Sequence, residues 1–221
     1  MSDRAAQGLP AIYAREIAQR GFGEDPAQAA AIAELERVRR EVLRAEKVSM
    51  TARLLTRFSG RPGHGATIKG AYLWGGVGRG KTWLMDLFFQ HLAVQKKQRS
   101  HFHRFMYDVH ERLRALHDRA DPLADVAGAI AESSRVLCFD ELYVDDIADA
   151  MILGGLFHHL VERRVTLVFT SNVPPAGLYR DGLQRARFLP AIELLQKHTA
   201  VVEVHGTTDY RLRHLTQAST Y

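Results

Sequence analysis

Residues 71–92 read AYLWGGVGRGKTWLMDLFFQHL: a short apolar run, a glycine-rich loop, then a stretch with helical spacing. Within it, Gly75-x-x-x-x-Gly80-Lys81-Thr82 satisfies the phosphate-loop pattern, in the strand-loop-helix context that gives the pattern its meaning. Glycines are needed there so that backbone N–H groups from Gly75, Gly76, Val77, Gly78, Arg79 and Gly80 can wrap a phosphate without Cβ clashes. The N-terminus of the following helix adds the positive end of its dipole. Lys81 is placed to reach β- and γ-phosphates and the Thr82 hydroxyl to ligate Mg2+, which makes ATP and Mg2+ the expected ligands. The bland reading is a chance glycine turn before a helix.

From Ala71 onward, short apolar runs alternate with longer helical stretches, the signature of repeated βα units on a parallel sheet. Strands are expected at 71–74, 100–104, 135–139, 165–170 and 200–204, with helices at about 81–94, 105–118, 122–133, 145–162 and 189–197. The fold class is therefore α/β, a P-loop nucleotide-binding core with helices about a five-stranded parallel sheet. Ahead of it, residues 25–47 predict an amphipathic helix: Asp25 can N-cap it, Pro26 suits the first helical position, and Gln28 sits where a capping box wants it. Ile32, Leu35, Val38 and Val42 recur on one face. The organisation expected is an N-terminal helical appendage over 1–60 and a nucleotide-binding core over 61–221, joined by the glycine-, proline- and base-rich RFSGRPGHGATIKG (57–70).

A phosphate loop alone does not separate a kinase from a hydrolase, so a second acidic strand is the next test. RVLCFDE (135–141) supplies it, apolar on both faces as a central parallel strand must be, with Asp140 emerging at the carboxyl end where ligands of open α/β sheets bind. Asp140 is placed to hold Mg2+ through its water shell, and Glu141 to polarise the water that attacks the γ-phosphate. Glu141 starting the next helix is the competing reading, and Asp145 and Asp146 are expected to cap or begin that helix. A third strand, VTLVFT, ends in Ser171 and Asn172, whose amide can reach the γ-phosphate or the attacking water; the same residues also suit an ordinary turn. Arg185 and Arg187 precede an apolar segment, where a guanidinium could stabilise transition-state charge on a neighbour's nucleotide or form a structural ion pair; Arg185 is preferred. His101 and His103 would alternate onto one strand face, yet no paired cysteine or HExxH helix supports a metal there. Phe105, Met106 and Tyr107 read as packing of the next helix, with a substrate-gripping loop as the alternative.

The chain has 221 residues, 46% hydrophobic and 25% charged, enough for one sizeable α/β core. Its longest apolar runs fall short of the roughly 20 residues that cross a bilayer, and the N-terminus shows no apolar h-region, so a cytoplasmic or surface-attached protein is expected. The single cysteine, Cys138, fits a buried thiol in a reducing compartment. A net charge of +5 is spread thinly, densest in RVRREVLRAEK (37–47) and KKQR (96–99), and reads as solvated surface more readily than as a nucleic-acid contact.

With these motifs in hand the chain resembles the AAA+ ATPases, and more narrowly the ZapE family of bacterial cell-division-associated ATPases and their mitochondrial relatives. The resemblance rests on GAYLWGGVGRGKTWLMDLFF, HFHRFM, LCFDELYVDDIADAM, TSNVPPAGLYRDGLQRARFLPAI and DYRLR, and covers nearly the whole chain. It implies strand order 5-1-4-3-2, Gly75 to Thr82 as phosphate loop, Asp140 and Glu141 as the Walker B pair, Asn172 as first sensor and Arg185 or Arg187 as arginine finger. It further implies a homo-oligomer and ATP-driven work on a protein partner, the division protein FtsZ, near the inner membrane. Members of the family run longer, with a lid and second sensor in a C-terminal half, so a truncated piece without a lid is expected. A DnaC- or IstB-like DNA-associated loader is the rival class, and an ATP-binding switch with little turnover is the third.

Overall fold

The computed structural model describes residues 7–55 and 67–205. Most of the 57–70 connection, and all of DYRLR (209–213), lie outside the described residues.

Five parallel strands form one sheet: β1 (Gly70–Trp74), β2 (Lys97–His101), β3 (Val136–Asp140), β4 (Thr166–Ser171) and β5 (Thr199–Glu203). Their order is β2-β3-β4-β1-β5, which read from the other edge is 5-1-4-3-2 as the resemblance implied. The helices are α1 (Leu9–Gln19), α2 (Pro26–Leu55), α3 (Lys81–His91), α4 (Phe102–Ala115), α5 (Pro122–Ser133), α6 (Ile147–Glu162) and α7 (Leu189–His198).

Successive side chains of a strand point to opposite faces, and here that alternation divides the apolar residues into two cores. Tyr72, Leu137, Phe139, Leu167 and Phe169 face one way, into a layer made by α4, α5, α6 and α7. Phe139 is its hub, stacked on Phe169 at 5.3 Å and edge-on to Phe105 at 4.6 Å. Ala71, Leu73, Val136, Cys138 and Val168 face the other way, under α1, α2 and α3. Because β1, β3 and β4 are covered on both sides, they are buried along almost their whole length.

The expected helix over 25–47 forms with its predicted start: Asp25 Oδ1 accepts from the amides of Ala27 (2.9 Å) and Gln28 (3.2 Å). Ile32, Leu35, Val38 and Val42 are all buried. The capping box is not completed, because the Gln28 side chain turns inward instead. The basic run in α2 is answered by the helix's own acids: Arg37 pairs with Glu34 and Glu41, and Arg39 and Arg40 both pair with Glu36. Arg39 is buried, not solvated.

Three local readings are corrected. Helix α1 was not anticipated; Leu9, Ile12, Tyr13 and Ile17 form its buried stripe, and Gly21 at φ 66° closes it, with Phe22 N–H reaching back to the Ile17 carbonyl at 2.9 Å. Strand β2 lies at Lys97–His101, three residues earlier than expected at its start, and His101 passes directly into α4. His101 and His103 therefore do not share a strand face, and both are exposed. Phe105 and Met106 are packed in the core whereas Tyr107, 61% exposed, is not.

Candidate functional site

The carboxyl ends of β1, β3 and β4 converge on the glycine loop between Trp74 and Lys81. Two glycines there have no substitute. Gly75, at φ 151°, is so close to β5 that a Cβ would lie 2.3 Å from the Val204 carbonyl oxygen; Gly80 sits at φ 82°, in the left-handed region. No side chain caps the first turn of α3, leaving its amides to whatever occupies the loop.

The loop borders a cavity of about 300 Å³ lined by residues 77–83, Glu141 and residues 170–172. Lys81 is only 8% exposed. Its ammonium donates to the carbonyls of Gly75 and Gly76, both at 2.7 Å, and to Asn172 Oδ1 at 3.1 Å. The phosphate-loop lysine and the residue read as a γ-phosphate sensor, 91 positions apart, thus touch. Thr82 is exposed at the same cavity.

Glu141 does not begin the next helix. It sits at φ 56°, a left-handed conformation costly for a residue with a Cβ, and its N–H donates to Thr170 Oγ1 at 3.0 Å. Leu142 N–H donates to the Thr170 carbonyl at 2.8 Å, and Ser171 Oγ to the Leu142 carbonyl at 2.8 Å. The end of β4 therefore grips the turn that delivers the Glu141 carboxylate to the cavity. Asp146 takes the capping role, accepting from Ala148 and Asp149 amides; Asp145 lies outside α6.

Asp140 is placed differently from the others. It is 3% exposed and does not line the cavity. Arg99 on β2 holds it by both carboxylate oxygens, Nε to Oδ2 at 2.6 Å and Nη2 to Oδ1 at 3.2 Å, and also bonds Asp86 on α3. Burial works against the charge on Arg99, but the hydrogen bonds and attraction of Asp140 and Asp86 outweigh it and raise its pKa. Behind this network, burial pushes the Cys138 thiol far up, so it is no nucleophile.

Arg185 and Arg187 form a short 3-10 turn away from the cavity. Arg185 is half-buried, donates to the Ala176 carbonyl at 2.8 Å and leaves a buried Nε without a partner among the described residues; Arg187 is exposed. Sequence reading missed Arg99, Gln28, Trp83 and Thr170. Trp83 lines the cavity with Tyr13 at 5.6 Å and the Arg20 guanidinium 5.0 Å above its ring. Their signals are weak in sequence, since each depends on a partner distant along the chain.

Residues 8–221 match the AFG1-like ATPase family. The cell division protein ZapE of Escherichia coli K12 is 60% identical over 151 residues, which cover 68% of this chain and 40% of that protein. Lactation elevated protein 1 homolog B of Danio rerio is 44% identical over 161 residues, covering 68% of this chain and 32% of its own. Among solved structures, DnaI superposes with a TM-score of 0.50 at 20% identity, covering 73% of this chain and 83% of that one, a likeness of fold alone. The chain thus spans about 40% of the length of the ZapE proteins it matches.

Proposed function

The chain belongs to the AFG1-like ATPase family, and on that premise we propose that it binds ATP with Mg2+ in the cavity beside the glycine loop, and that the whole protein cleaves ATP to drive work on a protein partner. The observation that carries this reading is the Lys81–Asn172 contact: a cation at the end of the glycine loop and an amide at the end of β4 meet at a cavity that Glu141 also lines.

The Lys81 ammonium donates to two loop carbonyls and to Asn172. A triphosphate offers it full negative charge instead, and a hydrogen bond between two ionised groups is stronger than one from an ammonium to a neutral carbonyl. Lys81 would then move to the β- and γ-oxygens, and its departure would release Asn172 to orient the attacking water. Glu141 would polarise that water from the cavity wall. The residues suit Mg2+, a hard cation that takes oxygen donors and keeps much of its water shell: the Thr82 hydroxyl would bind it directly. Asp140, buried and with both oxygens bonded to Arg99, would have to give up one of those bonds to hold the metal through its water. Mg2+ when bound would neutralise charge on the β- and γ-oxygens. Arg185 or Arg187 would serve a neighbouring copy's nucleotide in a homo-oligomer, which accords with their distance from their own cavity.

For the partner, the 60% identity to a protein named for cell division supports a component of the division machinery, and FtsZ at the inner-membrane surface is the specific proposal. Co-sedimentation of the whole protein with FtsZ polymers, with and without ATP, tests it; equal pelleting under both conditions would count against an ATP-dependent contact.

The site itself is tested by paired substitutions. Lys81→Ala should abolish measurable nucleotide binding by calorimetry. Glu141→Gln should bind as the wild type does while turnover in the whole protein falls at least a hundredfold; undiminished turnover would remove Glu141 from the mechanism.

A further inference from the structure

The side chain of Gln28 is 1% exposed, at the start of α2. Its amide uses both ends. Oε1 accepts from the Tyr13 hydroxyl of α1 at 3.2 Å, and Nε2 donates to the main-chain carbonyl of Arg79 at 3.0 Å, inside the glycine loop. The Arg79 carbonyl fixes which end of the amide faces the loop, because a flipped Gln28 would set Oε1 against a carbonyl oxygen, whereas the Tyr13 hydroxyl can accept as well as donate.

A trans peptide is planar, so its C=O and N–H point in opposite directions. Pinning the Arg79 carbonyl to Gln28 therefore directs the Gly80 N–H away from Gln28, and Gly80 is itself part of the cavity lining. Gly80, at φ 82°, is one of the few residues able to hold that peptide plane. The close approach is tight: a Cβ on Gly80 would fall 2.9 Å from Gln28 Nε2.

We propose that Gln28 is a positioning residue for phosphate binding: with Tyr13, it orients the Arg79–Gly80 peptide so that the Gly80 N–H faces the nucleotide's phosphates. The inference rests on the reading of the glycine loop as a phosphate site. It gives the two N-terminal helices a direct part in nucleotide affinity, beyond covering one face of the sheet.

The test compares affinity for ADP with Mg2+, by calorimetry on the chain, at pH 8.5 and 5.5, each variant expressed as a ratio to wild type at the same pH. Gln28→Glu keeps the shape and the Tyr13 contact but, ionised, turns an acceptor toward the Arg79 carbonyl. Its affinity should be about tenfold weaker at pH 8.5. At pH 5.5 the buried carboxyl regains a proton, can donate again, and the ratio should return to within about twofold of unity. A purely structural role for Gln28 would move the thermal midpoint of the variant together with its affinity at the two pH values, whereas the positioning role changes affinity in a chain that is still folded at both. Gln28→Met, which fills the space and cannot titrate, should be about fivefold weaker at both pH values, and carries the test if the glutamate variant does not fold. Tyr13→Phe should weaken binding in the same direction by a smaller factor. Ratios near one for both Gln28 variants, or a glutamate deficit unchanged between the two pH values, would overturn the proposal. Wild-type chain that fails to bind ADP would overturn the phosphate-site reading itself, and this inference with it.

Discussion

A single hydroxyl governs how Glu141 is presented. Thr170 is 1% exposed, and its Oγ1 accepts the Glu141 N–H at the point where the backbone takes its left-handed turn. Such strain persists only where surrounding structure over-determines it. Thr170→Val preserves volume and deletes the acceptor, so the Glu141 turn should relax. Turnover in the whole protein is expected to fall about tenfold with ADP affinity unchanged, at a stability cost of about 1 kcal/mol; equal turnover in the two proteins would show that the turn is held by other means. Arg99 is the other residue whose loss should be felt. Its guanidinium bonds both oxygens of Asp140, so Arg99→Met strands a buried carboxylate and should cost roughly 3–5 kcal/mol in denaturant unfolding. Adding Asp140→Asn to that variant should recover part of the loss, because the stranded charge is gone.

At the scale of elements, the joint between α1 and α2 depends on Glu36. It accepts from the Leu9 N–H at 3.0 Å and pairs with Arg39 and Arg40. Burial alone would raise its pKa, but the Leu9 amide and the two arginines more than offset this and hold it below the usual carboxylate range. A carboxylate whose pKa is lowered by folding contributes its stability fully above the unfolded value and loses it as the pH falls through the folded one. The difference in thermal midpoint between wild type and Glu36→Gln should therefore be constant from neutral pH down to the ordinary carboxylate range and shrink as the pH falls below it. A gap that stays constant below that range would mean that Glu36 is not what ties the helices together. The elements also show what could be read in advance. Strands β1, β3 and β4 announced themselves because burial on both faces leaves only apolar residues. Edge strand β2, KQRSH, needs apolar residues on neither face, and the apolar content of the following HFHRFM drew the expected strand into what is the first turn of α4. That the glycine loop, Glu141 and Asn172 would meet at one place was legible because each directly follows a strand of the sheet. Gln28 and Arg99 were not, since their partners lie 51 and 41 positions away and only the folded sheet brings them together.

Across the whole molecule, Arg185 and Arg187 stand apart from the cavity, so their proposed chemistry needs a second copy. In the whole protein, Arg185→Ala and Glu141→Gln chains should each be inactive and should recover part of the turnover when mixed. No recovery at any ratio would argue that neither chain completes a site on the other. The division of the interior by the sheet has its own outcome. The chain's one cysteine, Cys138, lies on the face shared with α1, α2 and α3, while its neighbours Leu137 and Phe139 point to the opposite layer. The molecule thereby carries a single thiol clock for one side only. A maleimide should label it at the rate at which that side opens, quickening when the N-terminal helices are loosened at Glu36 and staying slow when the damage is made in the α4–α7 layer.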